Sequence, residues 1–228
     1  MFFPLSPMAP EAAFVGGRAL LVWTTAASGS APRGQVWSDV SADGGATWGE
    51  DMLVQEVRGG SASRTQLVAD RDGKVARLVF HAGPFTKVSH IYYTAFDANG
   101  AWRSTGDAIT RITPKDGQFS NPRVAVDTDG SLYVAYEDAQ KRIVLSRSTD
   151  DGATWSADPQ VVAAVTEQTS QARVRYPQIV ASDGAVYVMW ELWGDVQGVP
   201  TGIGKTMVET ETVKRGVDLF VRRAHFAR

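Results

Sequence analysis

Three arginines, two glutamates and one tyrosine are the side chains of this sequence that could perform chemistry together. They are Arg64, Arg123, Arg175, Glu137, Glu191 and Tyr176. The planar fork of a guanidinium matches a carboxylate bidentately, so several arginines could bind a carboxylate group. A pair of carboxylates can serve as acid and base in glycoside cleavage. The set therefore predicts either a carboxylate-binding site or a glycoside hydrolase centre.

A structural interpretation of the same residues stays open. Glu137 and Glu191 follow corresponding apolar segments, where carboxylates can cap strand ends or pair with arginines of a neighbouring sheet. The three arginines do not share one position relative to these segments, and arginines are common on protein surfaces. Trp193, at the start of a long loop over residues 192–216, could stack on a sugar ring or pack against its neighbours.

A repeated eight-residue pattern identifies the scaffold that must position these residues. Residues 41–48 read SADGGATW and residues 148–155 read STDDGATW, while a degenerate copy ends at Trp102. The aspartate of each pattern can accept hydrogen bonds from its own turn, the glycine supplies a positive φ, and the tryptophan can fold back between sheets. All of these roles are structural, and no calcium-loop spacing is present. The residues concerned are Ser41, Asp43, Gly45, Trp48, Asp97, Trp102, Ser148, Asp150, Gly152 and Trp155.

Regularly spaced glycines show that the pattern belongs to a longer repeat. Gly17, Gly73, Gly130 and Gly184 are separated by 56, 57 and 54 residues, which is typical of repeat arrays. A short apolar segment rich in aromatic residues follows each glycine and fits a buried strand better than a helix. Each repeat thus reads as four short antiparallel strands, which predicts an all-β propeller. The repeats span approximately 8–60, 61–117, 118–170 and 171–228 of a single domain.

SADGGATW and STDDGATW resemble the Asp boxes of the sialidase and BNR-repeat propellers, and the four-stranded unit is similar to theirs. The resemblance implies a sialidase-like β-propeller of four-stranded antiparallel blades, part of a larger, six-bladed ring. This chain would supply about four repeats, the last one incomplete. It also implies that the boxes lie on the face opposite the active site and that the protein is secreted or periplasmic, although no signal peptide is visible.

Composition limits the partners. The net charge of −2 gives no general field for nucleic acid, cysteine is absent, and no apolar run is long enough to span a bilayer. We expect no cofactor and no metal. The predicted function is a non-catalytic segment that binds carbohydrate or another macromolecule, with a glycan or other extracellular polymer as partner. The alternatives are a retaining exo-sialidase-type glycoside hydrolase and a purely structural repeat fragment. For the hydrolase, the resemblance implies that the arginines bind an acidic sugar and that Tyr176 acts as the nucleophile. The ring could be completed by further blades or by another copy, or the chain could form a small four-bladed ring.

Overall fold

The computed structural model shows an all-β protein and describes residues 7–25, 33–58, 60–84, 88–165, 173–193 and 217–224. Within these ranges the chain forms fifteen β-strands and one short 3-10 turn, Gly106–Ala108, with no α-helix. Buried and less buried residues alternate along strands such as Arg18–Thr25. Such alternation is typical of a sheet that buries one of its two faces more deeply than the other. None of the described residues belongs to a helix that could cross a membrane. The all-β prediction is confirmed.

The described residues up to Gln118 form a first compact unit, called unit 1, with two four-stranded antiparallel blades that one parallel pairing, Arg33 with Gly60, joins into an eight-stranded sheet. Blade 1 consists of β1 (Pro7–Val15), β2 (Arg18–Thr25), β3 (Arg33–Ser41) and β4 (Met52–Arg58). Blade 2 consists of β5 (Gly60–Ala69), β6 (Val75–Pro84), β7 (His90–Asp97) and β8 (Thr110–Arg111). Residues of both blades, among them Leu20, Val22 and Phe80, share one hydrophobic core.

Residues 119–228 form a second compact unit, called unit 2. Blade 3 consists of β9 (Ser120–Val126), β10 (Leu132–Glu137), β11 (Ile143–Ser148) and β12 (Gln160–Ala163). Blade 4 has three described strands, β13 (Arg173–Ser182), β14 (Ala185–Trp193) and β15 (Val217–Ala224). Trp193 ends β14 instead of lying on a loop as the sequence analysis expected, because its main chain pairs with both Arg173 and Val217. The rest of that predicted loop, 194–216, lies outside the described residues.

The first strand of every blade carries a β-bulge at the same place. Two residues of the first strand stand there opposite one aromatic residue of the second strand. The aromatic residues are Trp23, Phe80, Tyr136 and Trp190. In blades 2, 3 and 4 the bulge begins with a residue in the left-handed region, namely Arg64 (φ 57°), Asn121 (φ 51°) and Tyr176 (φ 53°). Asparagine adopts this conformation readily, whereas arginine and tyrosine do so at a cost of about 1 kcal/mol or more, which is often found at functional sites.

Candidate functional site

The Asp-box turns are closed hydrogen-bond networks. The Ser41 hydroxyl donates to the Asp43 carboxylate (2.8 Å) and accepts from the Gly45 N–H (2.8 Å). The hydroxyl and N–H of Thr47 donate to Asp43 at 2.6 and 2.8 Å. The second box repeats these contacts at Ser148, Asp150, Gly152 and Thr154. The threonine and serine donors lower the pKa of Asp43 and of Asp150 to about 2, so both carboxylates are engaged within their own turns.

The three box tryptophans differ in what they contact. Trp102 packs edge-to-face on Phe96 and donates from Nε1 to the Ser38 hydroxyl of blade 1 at 2.9 Å. Trp155 is half-buried and donates to the Gly152 carbonyl of its own turn. Trp48 is 45% exposed, which contradicts the expectation that it folds back between sheets. The reason is positional: Trp102 rests on the preceding blade, and blade 1 follows no other blade in the described part of the chain.

Glu137 lies at the centre of a polar cluster at the bulged ends of blades 3 and 4. Its Oε2 accepts a hydrogen bond from the Ser120 hydroxyl at 3.1 Å. Its Oε1 accepts from the Asn121 side-chain amide (2.5 Å) and from the main-chain N–H of Tyr176 (2.9 Å). The Arg175 Nε lies 4.0 Å from the same oxygen. These five residues, which we call the Glu137 cluster, tie the bulge of blade 3 to the bulge of blade 4.

Arg175 and Tyr176 form the partly exposed side of this cluster. The guanidinium carbon of Arg175 lies 4.7 Å from the centre of the Tyr176 ring, within the range of a cation–π contact. Both side chains are half-buried. Glu137 accepts a hydrogen bond from the main chain of Tyr176, and its carboxylate lies 4.0 Å from the Arg175 Nε, the distance of a loose ion pair. The pair therefore offers a positive charge and an aromatic ring from one fixed position.

Blade 2 carries a different set of side chains at the corresponding place. His81 follows the aromatic residue of β6 as Glu137 follows that of β10, and its Nδ1 lies 3.1 Å from the Ser63 hydroxyl. Burial, and then the positive charge of Arg64, lower the pKa of His81 to about 4. The imidazole is therefore neutral near pH 7. Arg64 itself is exposed.

The structure gathers only part of the candidate set. Glu137, Arg175 and Tyr176 meet in the Glu137 cluster, and Glu191 pairs with Arg175 in the ladder between β13 and β14. Arg123 lies beyond the bulge of β9 and donates to the Pro122 carbonyl. Arg64 belongs to unit 1, and the side chain of Trp193 lies outside what the structure describes.

Sequence reasoning missed Ser120, Asn121 and His81. The arginines do not share a repeat position, but Arg64, Asn121 and Tyr176 do, because each opens the bulge of its first strand. Two of these positions could have been found from the sequence, because Asn121 directly precedes Pro122 and Tyr176 directly precedes Pro177 near the starts of corresponding strands.

Unit 1 contains a separate cleft of about 760 Å³. Its walls come from β4 and from the region around β7 and the 3-10 turn, and include Glu56, His90, Tyr92 and Asp107. The His90 Nδ1 lies 2.9 Å from the Thr113 hydroxyl. No group of three His, Asp or Glu side chains that could hold a metal ion occurs among the described residues.

No protein-family model and no curated protein matches this sequence, but solved structures match its fold. A Trypanosoma rangeli sialidase superimposes with a TM-score of 0.57 at 13% identity, over 83% of this chain and 35% of that chain. An ulvan lyase of polysaccharide lyase family PL25 gives a TM-score of 0.58 at 13% identity, over 82% and 52%. An arabinanase of Bacillus subtilis gives 0.50 at 13% identity, over 95% and 72%.

At this level of identity the comparisons establish the fold. The chain has a sialidase-like β-propeller fold with four-stranded antiparallel blades and a last blade of three described strands, as the sequence predicted. The fold is one shared by proteins that act on carbohydrates. The chain spans about a third of the length of the trypanosome sialidase, 35%, so the activity of that protein is not carried over as a finding.

Proposed function

We propose that this chain is a carbohydrate-binding propeller segment that holds an acidic sugar without cleaving it. The observation that supports this most is the way Glu137 holds Arg175 and Tyr176 at the bulged ends of blades 3 and 4. A guanidinium binds a sugar carboxylate through paired, charge-assisted hydrogen bonds. An aromatic ring packs against the apolar face of a pyranose. Arg175 and Tyr176 supply both from adjacent residues.

The position of the pair within the blade supports the same conclusion. The Asp boxes occupy the turns between the third and fourth strands, at residues 41–48 and 148–155. The Glu137 cluster lies where the second strand of blade 3 ends and the first strands begin, which is the other end of the strands. The connection from β10 to β11 lies at that end too, and binding residues concentrate on connections carried by a rigid scaffold.

A binding role fits Glu137 better than a catalytic one. A general acid or base must exchange its proton with the reacting oxygen, and therefore needs a carboxyl oxygen that faces the substrate. Both oxygens of Glu137 already accept hydrogen bonds from Ser120, Asn121 and Tyr176. The bond to Tyr176 comes from the main chain and not from the phenol. Glu137 is therefore proposed as a positioning residue.

Titration calorimetry with 3′-sialyllactose, a glucuronic acid disaccharide and neutral lactose tests the proposal. We expect an acidic sugar to bind and lactose not to bind. Arg175→Gln should weaken the binding about 10- to 100-fold, the usual effect of losing a charge-assisted hydrogen bond. Arg173→Gln is the matched control, because Arg173 is an exposed arginine two residues earlier in β13. Equal binding of lactose and acidic sugars, or an equal effect of both variants, would contradict the proposal.

A retaining exo-sialidase-type hydrolase is the second candidate. It is favoured by the presence of a glutamate, an arginine and a tyrosine in one cluster, namely Glu137, Arg175 and Tyr176. Release of the fluorophore from an aryl sialoside by the wild type, and loss of that release in Tyr176→Phe, would establish it in place of the binding role. If the protein neither binds these sugars nor releases the fluorophore, the purely structural interpretation remains.

A further inference from the structure

Within unit 1, blade 2 packs on blade 1 through one face of its second strand. Ala76, Leu78 and Phe80 alternate along β6, are fully buried, and share a core with Leu20 and Val22 of β2. Nearby, Trp102 of blade 2 donates to the Ser38 hydroxyl of blade 1. Blade 2 thus makes this contact with the face that carries Phe80, the aromatic residue opposite its bulge. Blade 1 makes it with the opposite type of face, the one that does not carry Trp23.

Unit 2 repeats this contact with different residues. Val186, Val188 and Trp190 alternate along β14 and share a core with Tyr133 and Ala135 of β10. Trp190 is the bulge-opposing residue of blade 4, as Phe80 is that of blade 2. The guanidinium of Arg222 on β15 also donates to the Val162 carbonyl of blade 3 at 2.7 Å. Two blade-to-blade contacts of one type are therefore built into this chain.

Blade 1 presents the corresponding face to solvent. Ala19, Leu21 and Trp23 occupy the positions of Ala76, Leu78 and Phe80, because Trp23 opposes the bulge of β1. All three are only half-buried. Cross-strand partners extend the same face, with Phe14 beside Ala19, Trp37 beside Trp23 and Leu53 beside Trp37. This first-blade face consists of Phe14, Ala19, Leu21, Trp23, Trp37 and Leu53, of which Phe14 is 67% exposed.

Blade 4 presents the complementary type of face. Tyr187 lies three residues before Trp190, as Tyr133 lies three residues before Tyr136. Each tyrosine pairs in register with an arginine that covers its ring, Arg147 at 5.6 Å from Tyr133 and Arg223 at 5.8 Å from Tyr187.

These two tyrosines differ in their surroundings. Tyr133 is buried in the core that blades 3 and 4 share, whereas Tyr187 is 40% exposed and its neighbour Val180 is 58% exposed. Val180, Tyr187, Met189 and Arg223 form the fourth-blade face. The same tyrosine–arginine pair thus receives a blade in one case and faces solvent in the other.

We propose that the first-blade face of one copy of this chain docks on the fourth-blade face of a second copy, in a head-to-tail arrangement. The contact would reproduce the blade-to-blade packing that the chain already makes twice. The two surfaces differ in composition, so the interface is heterologous and each copy keeps one of each surface available for the next. A second copy is the occupant that the molecule itself offers, because its fourth-blade face carries a tyrosine–arginine pair equivalent to the pair of blade 3 on which blade 4 packs.

Complementation of two charge variants tests the head-to-tail arrangement. Phe14→Lys blocks the first-blade face and Val180→Lys blocks the fourth-blade face, both at exposed positions that the fold does not need to bury. By light scattering after size exclusion, wild type should associate, and each variant alone should associate at least about tenfold more weakly, because a lysine ammonium buried without a partner is costly. An equimolar mixture should form a 1:1 heterodimer and nothing larger.

Controls keep the outcome decisive. Ala139→Lys, an exposed alanine in the turn after β10, should associate as wild type does. Leu53→Lys and Tyr187→Lys provide a second pair if circular dichroism shows that a variant of the first pair is unfolded. A wild type that stays monomeric at high micromolar concentration overturns the proposal. So does a mixture that stays monomeric, or a variant that associates by itself as strongly as wild type does.

Discussion

The two ends of the blades hold their carboxylates in different ways. At the Asp-box end, Asp43 and Asp150 bind donors two and four residues away in the sequence. At the bulged end, Glu137 binds donors 16, 17 and 39 residues away, one of them in the next blade. The first arrangement closes a single turn. The second joins two blades and leaves a charged and an aromatic side chain partly exposed.

This difference in contact range separates two kinds of role. The carboxylate of each box binds donors of its own turn, so the boxes serve the hairpins that contain them. A carboxylate that gathers donors from separate strands fixes side chains relative to one another, which is what a binding site requires. The bulged end is therefore where substitutions should affect stability and ligand binding together.

Removal of the Glu137 carboxylate should have the largest effect. Glu137→Ala leaves Ser120, Asn121 and the main chain of Tyr176 without their acceptor. We expect a loss of about 3 kcal/mol in the free energy of unfolding, the usual result of breaking a largely buried charged network. Urea denaturation measures it, and Asp150→Ala, at the Asp-box end of the same blade, is the matched control. A loss for Glu137→Ala no larger than the loss for Asp150→Ala would remove the distinction between the two ends.

The neutral imidazole at the bulged end of blade 2 should make stability depend on pH. The pKa of His81 is lowered to about 4 in the folded protein, against an ordinary value of 6.5. The folded state therefore binds fewer protons than the unfolded state between these values, and stability should fall as the pH drops from about 6.5 to about 4. His81→Gln should flatten the pH dependence of the urea midpoint in this window. The pH dependence of the urea midpoint in His90→Gln is measured alongside it for comparison. An unchanged pH dependence in His81→Gln would show that the folded protein tolerates the charged imidazole.

The Asp-box end should respond at lower pH. The pKa values of Asp43 and Asp150 lie at about 2 in the folded protein, below the ordinary value of 3.8. The stability they contribute is present above about pH 4 and is lost as the pH falls towards 2. The double variant Asp43→Asn, Asp150→Asn should lose less stability than wild type over this window in acid titrations followed by tryptophan fluorescence. Because both carboxylates are exposed to solvent, a smaller effect than that of Glu137→Ala is expected.

Contact range also explains how much could be predicted from the sequence. The boxes are determined by residues within one short segment, so Ser41, Asp43 and Gly45 were recognisable from their spacing. The four-strand repeat followed from glycine and aromatic periodicity for the same reason. The Glu137 cluster depends on the packing of blade 3 beside blade 4 and on a bulge that shifts the register by one residue. A short sequence pattern predicts neither of these features.

The box tryptophans provide the finest test, because they occupy the same motif position and differ in what lies next to them. Trp102→Phe removes the hydrogen bond to Ser38 of the neighbouring blade and should lower the free energy of unfolding by about 1 kcal/mol. Trp48→Phe changes an exposed side chain, and the effect should stay within about 0.5 kcal/mol. Chemical denaturation at low protein concentration measures both in the single chain. If the first-blade face docks on a second copy, the two variants should differ less at high concentration, since Trp48 would then have a neighbouring blade as Trp102 has.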